Sequence, residues 1–305
     1  MLPIRSEWFQ RARRLIGSGL VSASRRMAVH APARAGGRKR PDWLHPAIGP
    51  LTTGHDQTDG GRRIIPLQDP DVVIARDGLP LPPQHLWREY GTTEARYLEL
   101  ANLHTSSLLS ILRAAGFDLD SGHKRVLDFG CAAGPMLRCL KPYAETNTLW
   151  GTDIDANCID WCRRHLPLFH FATNTTAPHL PFEDRSFDLV YSGSVFSHIV
   201  EAADSWLLEL ARILKPGGLL YASIHDREFI EHTLRHAPDW AFSWEITRRM
   251  PASAFAMFVL GSGPHANVFY DRTYFLTMSQ PAFDLVSAND RAYGNQSVML
   301  LRKRP

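Results

Sequence analysis

The chain has 305 residues, 44% hydrophobic and 10% aromatic, which is enough to bury one large core or two modest ones. Its net charge of +3 conceals an asymmetry: residues 1–40 hold ten Lys/Arg against Glu7 alone, so the rest carries 24 basic and 30 acidic groups. That acidic remainder argues against nucleic acid as a partner, because duplex affinity comes largely from neutralising phosphates.

No run approaches the roughly 20 apolar residues that span a bilayer. The four cysteines, Cys131, Cys139, Cys158 and Cys162, form neither a C-x-x-C pair nor a zinc-ligand series, and the histidines include no H-E-x-x-H. A reduced, cytoplasmic protein without a metal site is expected. The Arg-rich, acid-poor first forty residues fit a transit peptide, a surface-seeking amphipathic helix that touches a membrane surface, or a disordered basic tail.

In chain order, residues 31–83 mix Pro, Gly, Asp and Arg without sustained periodicity and read as a linker extended across the domain surface. Residues 1–83 are therefore tail and linker, and residues 84–305 one domain. From Gln84 to Ala115 apolar residues recur at helical spacing, with Gly91 as a break, which predicts two helices. Alternation follows: strand 125–129, helix 134–144, strand 148–153, helix 156–165, strands 168–172 and 187–192, helix 202–213, strand 218–224. Such β/α alternation implies an α/β fold, a parallel sheet with helices on both faces. Residues 226–263 are rich in aromatics and methionine and read as one or two inserted helices. Phe283–Ser287 and Ser297–Arg302 look like a closing hairpin.

The chemistry concentrates in Arg125-Val-Leu-Asp-Phe-Gly-Cys-Ala-Ala-Gly134. A short strand runs into a tight turn and a helix start, with Gly130 and Gly134 allowing close approach of a ligand and free N–H groups to meet it. The acid Asp128 precedes the glycines, unlike the G-x-G-x-x-G of dinucleotide folds, which disfavours an NAD-dependent oxidoreductase. Asp153 closes the next strand, where a carboxylate can accept hydrogen bonds from ribose hydroxyls. Together with Leu180-Pro-Phe through His198 and Leu214-Lys-Pro-Gly-Gly through Ser223, this order of motifs resembles the class I S-adenosylmethionine-dependent methyltransferases over residues 85–303. The likeness is specific for fold and cofactor and weak for substrate. Ala132 stands where many members have a second glycine, and fits if its φ is negative.

The resemblance implies a Rossmann-like, doubly wound sheet, mostly parallel with an antiparallel C-terminal strand, and S-adenosylmethionine as cofactor. Gly130, Cys131 and Gly134 then wrap the methionine part, and Asp128 orders the turn. Asp153 takes the ribose hydroxyls with Ile154 beside it, while Asp155 caps the next helix. Asn174 or Thr175 replaces the family's adenine-binding Asp, and Ser192 and Gly193 line the methyl-donor end. His225 with Asp226, and His198, are candidate general bases or substrate contacts, each against a purely structural reading. Tyr90, Tyr97 and the aromatics at 240–258 either wall the substrate pocket or pack the core. The expected partner is a small-molecule methyl acceptor, with O-methylation ahead of N-methylation. A cofactor-binding assembly subunit without chemistry is the rival.

Overall fold

The computed structural model describes residues 72–305, apart from Glu89, Ala252 and residues 262–265. The basic tail, most of the expected linker and the end of the aromatic insert lie outside the described residues.

Glu94–Ala114 forms α1, started by Thr93, whose hydroxyl accepts the Arg96 amide. Its buried stripe, including Tyr97, Ala101, Leu108 and Leu112, follows the helical period. Then come β1 (Arg125–Phe129), α2 (Pro135–Cys139), β2 (Thr148–Asp153), α3 (Ala156–His165), β3 (His170–Thr173), β4 (Phe187–Ser192), α4 (Ala203–Ile213) and β5 (Leu214–Ile224). The expected helix over 134–144 ends early at Cys139 and continues only as a 3-10 turn, Lys141–Tyr143. Pro142 explains this, since it offers no N–H and clashes with the preceding helical turn.

The insert holds two helices, α5 (Arg227–His236) and α6 (Ala241–Arg249), as expected, but also an antiparallel ribbon that the helical reading missed, β6 (Met257–Leu260) with β7 (Asn267–Tyr270). Four-residue apolar runs carry no period that separates strand from helix. A further helix, α7 (Arg272–Ser279), leads to β8 (Phe283–Tyr293) and β9 (Gln296–Lys303).

Seven strands form one sheet in the order β3-β2-β1-β4-β5-β9-β8. Strands β1 to β5 pair in parallel, and β9 runs antiparallel to both β5 and β8. The predicted mostly parallel sheet with an antiparallel C-terminal strand is the observed one. Chain order reverses between β1 and β4, and ligands of open α/β sheets bind outside the carboxyl ends of the strands at such a point. Helices cover both faces, so β1 and β4 are buried almost throughout, as their continuous apolar runs require.

The packed body begins upstream of Gln84. Ala75 and Leu79 are buried, and Ile74 bridges Pro80 across a turn in which Gly78 takes φ +75°. Asp77 meets the fully buried Arg138 side chain of α2 through two hydrogen bonds, at 2.5 and 2.7 Å. This stretch is a pinned turn rather than an extended linker.

Candidate active site

The turn after β1 is fastened to β2. The Gly130 and Cys131 amides both donate to the Thr152 carbonyl, at 2.7 and 2.9 Å, and the Ala132 amide donates to Asp153 Oδ2 at 2.8 Å. Gly130 and Gly134 hold φ of +86° and +74°, which only glycine adopts freely. At Gly130 space matters as well, because an added Cβ would stand 2.2 Å from Val195 Cγ2, in the loop that leaves β4. Ala132 departs from expectation: its φ is +45°, so an L-residue occupies the left-handed region where relatives of this pattern place glycine. Cys131 turns inward. Its thiol is buried in the core against Gly151, where a Cβ would come within 2.7 Å of the sulfur, so only its backbone faces the turn.

Asp153 and Asn174 lie at adjacent strand ends. Asp153 Oδ1 accepts the Asp155 amide at 2.7 Å, and the Asp153 carbonyl accepts the Asn174 amide at 3.1 Å. Burial lifts the Asp153 carboxyl to about 6, against the Ala132 amide and the charge of Arg88. Ile154, beside it, is half-buried, as is Thr175, whose hydroxyl accepts the Ala177 amide at 3.2 Å and so shapes the loop. Asn174 is 4% exposed, and its Oδ1 has no hydrogen-bond partner among the described residues. Asp155 does cap α3, accepting the Asn157 amide. Its carboxylate also pairs with Arg88, a contact that the sequence reading missed. Asp128, under the turn, is buried, and its carboxyl is pushed well above the ordinary range by burial and by Asp153.

At the end of β4, Ser192 is fully buried with its hydroxyl unpartnered among the described residues. Gly193 lies against the Tyr293 ring, which a Cβ would meet at 2.4 Å. Tyr90, from the segment before α1, and His104, from α1, complete this corner: the Tyr90 and Tyr293 hydroxyls are 2.7 Å apart, and the His104 and Tyr293 rings stack at 4.0 Å. Tyr90 is the one member that the sequence reading considered for the pocket. Tyr97 instead packs fully buried against Trp87.

The two candidate bases flank the β6–β7 ribbon. His225 is buried against Phe229, with ring centroids 4.0 Å apart, and burial, then the charge of His198, pushes it down to about 3. Its expected companion Asp226 turns elsewhere: it caps α5 through the Phe229 amide and receives Arg272 at 2.6 Å and the Ser297 hydroxyl at 3.0 Å. His198 is exposed and bonds the Ala266 carbonyl through Nδ1 at 2.8 Å. A carbonyl only accepts, so Nδ1 carries the proton and Nε2 is the basic nitrogen.

A nucleoside with an amino acid tail fits this corner. The unpartnered Asn174 oxygen suits an adenine amine, the Asp153 carboxylate suits a pair of ribose hydroxyls, and the glycine turn admits backbone approach. Among the described residues no group of His, Cys, Asp and Glu could hold a metal ion.

Comparison with known proteins agrees with this geometry. A family described as "Methyltransferase domain" matches residues 127–222, the stretch from β1 to β5 that builds the site. Over that stretch the chain is similar to the methyltransferases, as its order of motifs implies. The fatty-acid O-methyltransferase of Mycolicibacterium smegmatis is 31% identical to it over 160 residues, covering 49% of this chain and 58% of that one. The phthiotriol/phenolphthiotriol dimycocerosates methyltransferase 1 of Mycobacterium ulcerans is 33% identical over 134 residues, covering 42% and 47%. The chain thus spans about half the length of these curated relatives. The PH0226 protein of Pyrococcus horikoshii OT3 superposes on this chain with a TM-score of 0.51 at 18% identity, over 72% of this chain and 95% of that one, a likeness of fold.

Proposed function

We propose that the protein transfers a methyl group from S-adenosylmethionine to an oxygen atom of a small lipid-like acceptor. The observation that carries the reading is the convergence, at the reversal point of the sheet, of the Gly130–Gly134 turn, the Asp153 carboxylate and the unpartnered Asn174 oxygen. In this reading Asp153, with Ile154 beside it, holds the ribose, Asn174 and the Thr175 loop hold the adenine, and the turn from Asp128 through Cys131 to Gly134 wraps the amino acid tail. Ser192 and Gly193 lie at the methyl-donor end. Two relatives named for lipid substrates support a lipid-like acceptor. So does an insert whose Trp244 is 69% exposed, with Trp240, Met250 and Met257 also open to solvent.

The bound cofactor supplies an electrophilic methyl on sulfonium, and transfer is an in-line displacement. The protein's share is to align the acceptor and exclude water. A proton acceptor matters only if the acceptor is a hydroxyl. His198, with its accessible Nε2, is better suited to that than His225, whose low pKa makes it a weak base. Incubation with labelled donor and a panel of fatty acids, long-chain alcohols and amines tests the reading. Label in an ester or ether supports it, label only in amines moves the reaction to nitrogen, and cofactor binding without any product leaves an assembly subunit.

A further inference from the structure

The residues just ahead of α1 reach both sides of the crevice. Trp87 is buried against Tyr97, and its indole N–H donates to the Pro82 carbonyl at 2.6 Å, which fixes this stretch to the body. Tyr90 meets Tyr293, whose ring lies against Gly193 at the end of β4. Arg88 reaches the end of β2 instead: its guanidinium pairs with Asp155 and stands 3.8 Å from the Cys158 sulfur. Arg88 and Tyr90 therefore bracket the carboxyl end of β1, which lies between β2 and β4 in the sheet. Arg88 holds φ +56°, a left-handed conformation that costs an L-residue energy and persists only where its surroundings impose it.

The corner that Arg88 grips is the one assigned to the ribose. The Asp155 side chain is 2% exposed; one of its oxygens accepts the Asn157 amide and the other the Cys158 thiol, at 3.0 and 3.3 Å. The Asp155 amide donates in turn to Asp153 Oδ1 at 2.7 Å, so the two carboxyls are joined by one hydrogen bond. We propose that Arg88 is a positioning residue for the cofactor, acting through Asp153 by clamping the Asp153–Asp155 corner in the form that receives the ribose. This inference rests on the reading above in which Asp153 holds the ribose, and deepens it. The other titratable groups that face Asp153 bring no positive charge: Asp128 and Cys131 come from β1 and its turn, Asp155, Cys158 and Cys162 from α3 and its cap. Burial holds the three thiols neutral and drives Asp128 toward its neutral form. Arg88 thus supplies the cation that opposes the burial of Asp153. Ribose hydroxyls donate to the ionised carboxylate, so loss of Arg88 moves the acid limit of cofactor binding upward, toward neutral pH.

The test uses the full chain as wild type, Arg88→Met, Arg88→Lys and Asp153→Ala, with affinity for S-adenosylhomocysteine measured by calorimetry across about pH 5.5 to 8.5, a range that spans the acid limb, and melting temperatures taken alongside. Arg88→Met is expected to bind roughly three- to tenfold more weakly at about pH 6.5, with the deficit shrinking to about twofold or less by pH 8.5, as a carboxyl raised by up to about one unit requires. Arg88→Lys keeps the charge and should return the acid limb most of the way to its wild-type position. Should Arg88→Met not fold, Arg88→Gln carries the same expectation. A merely structural Arg88 would lower the melting temperature and leave the acid limb where it was, and that result overturns the proposal. So does a loss equal at every pH, which bypasses Asp153, and so does tighter binding, which puts the Arg88 side chain in the cofactor's way. Asp153→Ala separates the two levels. If it binds like wild type, the ribose reading falls and this inference with it; if it binds weakly while Arg88→Met matches wild type at every pH, the inference alone falls.

Discussion

Asp153 carries a proton below about pH 6, because its burial outweighs the Ala132 amide and the Arg88 charge. Ribose hydroxyls donate to the ionised form, so the affinity for S-adenosylhomocysteine should be flat above about pH 7 and weaken up to tenfold per unit well below pH 6. Calorimetry across that range checks the sign: a raised pKa puts the loss on the acid side. Asp153→Ala should weaken donor and product alike by roughly 1.5–3 kcal/mol and abolish that pH dependence. Ala132 offers a second test. Its left-handed φ costs an L-residue about 1–2 kcal/mol, while glycine brings roughly 0.5–1 kcal/mol of extra chain entropy to the unfolded state. Ala132→Gly should therefore stabilise the protein by about 0.5–1 kcal/mol in urea unfolding, and an unchanged midpoint would show that the turn bears no strain.

At the scale of elements, the turn around Gly78 is part of the fold through one buried pair. Arg138 is wholly buried, and without Asp77 it is left with the carbonyls of Leu79 and Pro80 and the Tyr97 ring. Breaking a buried pair from one side leaves an uncompensated charge, so Asp77→Ala should cost about 2–4 kcal/mol in chemical denaturation. Burial works against the Asp77 charge, yet the Arg138 hydrogen bonds and charge prevail and hold the carboxyl below its ordinary value. The stabilisation is accordingly present at neutral pH and lost as pH falls through that lowered value, below about 4. A chain shortened to begin at Val72 should melt close to the full chain, whereas one beginning at Gln84, which discards the pair and the buried Ala75 and Leu79, should melt well below it.

Across the whole molecule, two buried histidines set the acid limit. His104 is pulled to about 4 and His225 to about 3, whereas an unfolded histidine titrates near 6.5. The unfolded chain binds those protons first, so the histidines' contribution to stability is full above about pH 6.5 and falls as pH drops toward 4. Each histidine contributes up to about 1.4 kcal/mol per pH unit between its two values. His104→Gln and His225→Gln should each flatten the decline between pH 6.5 and 4.5, whatever they do to the midpoint at pH 7.5. A slope identical to wild type in both would mean that water reaches these rings.

What the sequence determined is what neighbours in the chain decide. The strand, Asp128, the two glycines and Asp153 fall within thirty positions, and the β/α alternation around them specifies both the parallel sheet and where its crevice opens. Asn174 was legible in the same way, one residue beyond β3. Local pattern could not say that Cys131 faces the core, that Ala132 takes a left-handed φ, or that Asp226 serves Arg272 rather than His225, because each depends on atoms that another element brings up. The short ribbon β6–β7 was invisible for want of period. Above all, the Tyr90, His104 and Tyr293 corner joins residues separated by up to 203 positions, and only the docking of α1 and the β8–β9 hairpin over the end of β4 puts their polar atoms within hydrogen-bond reach.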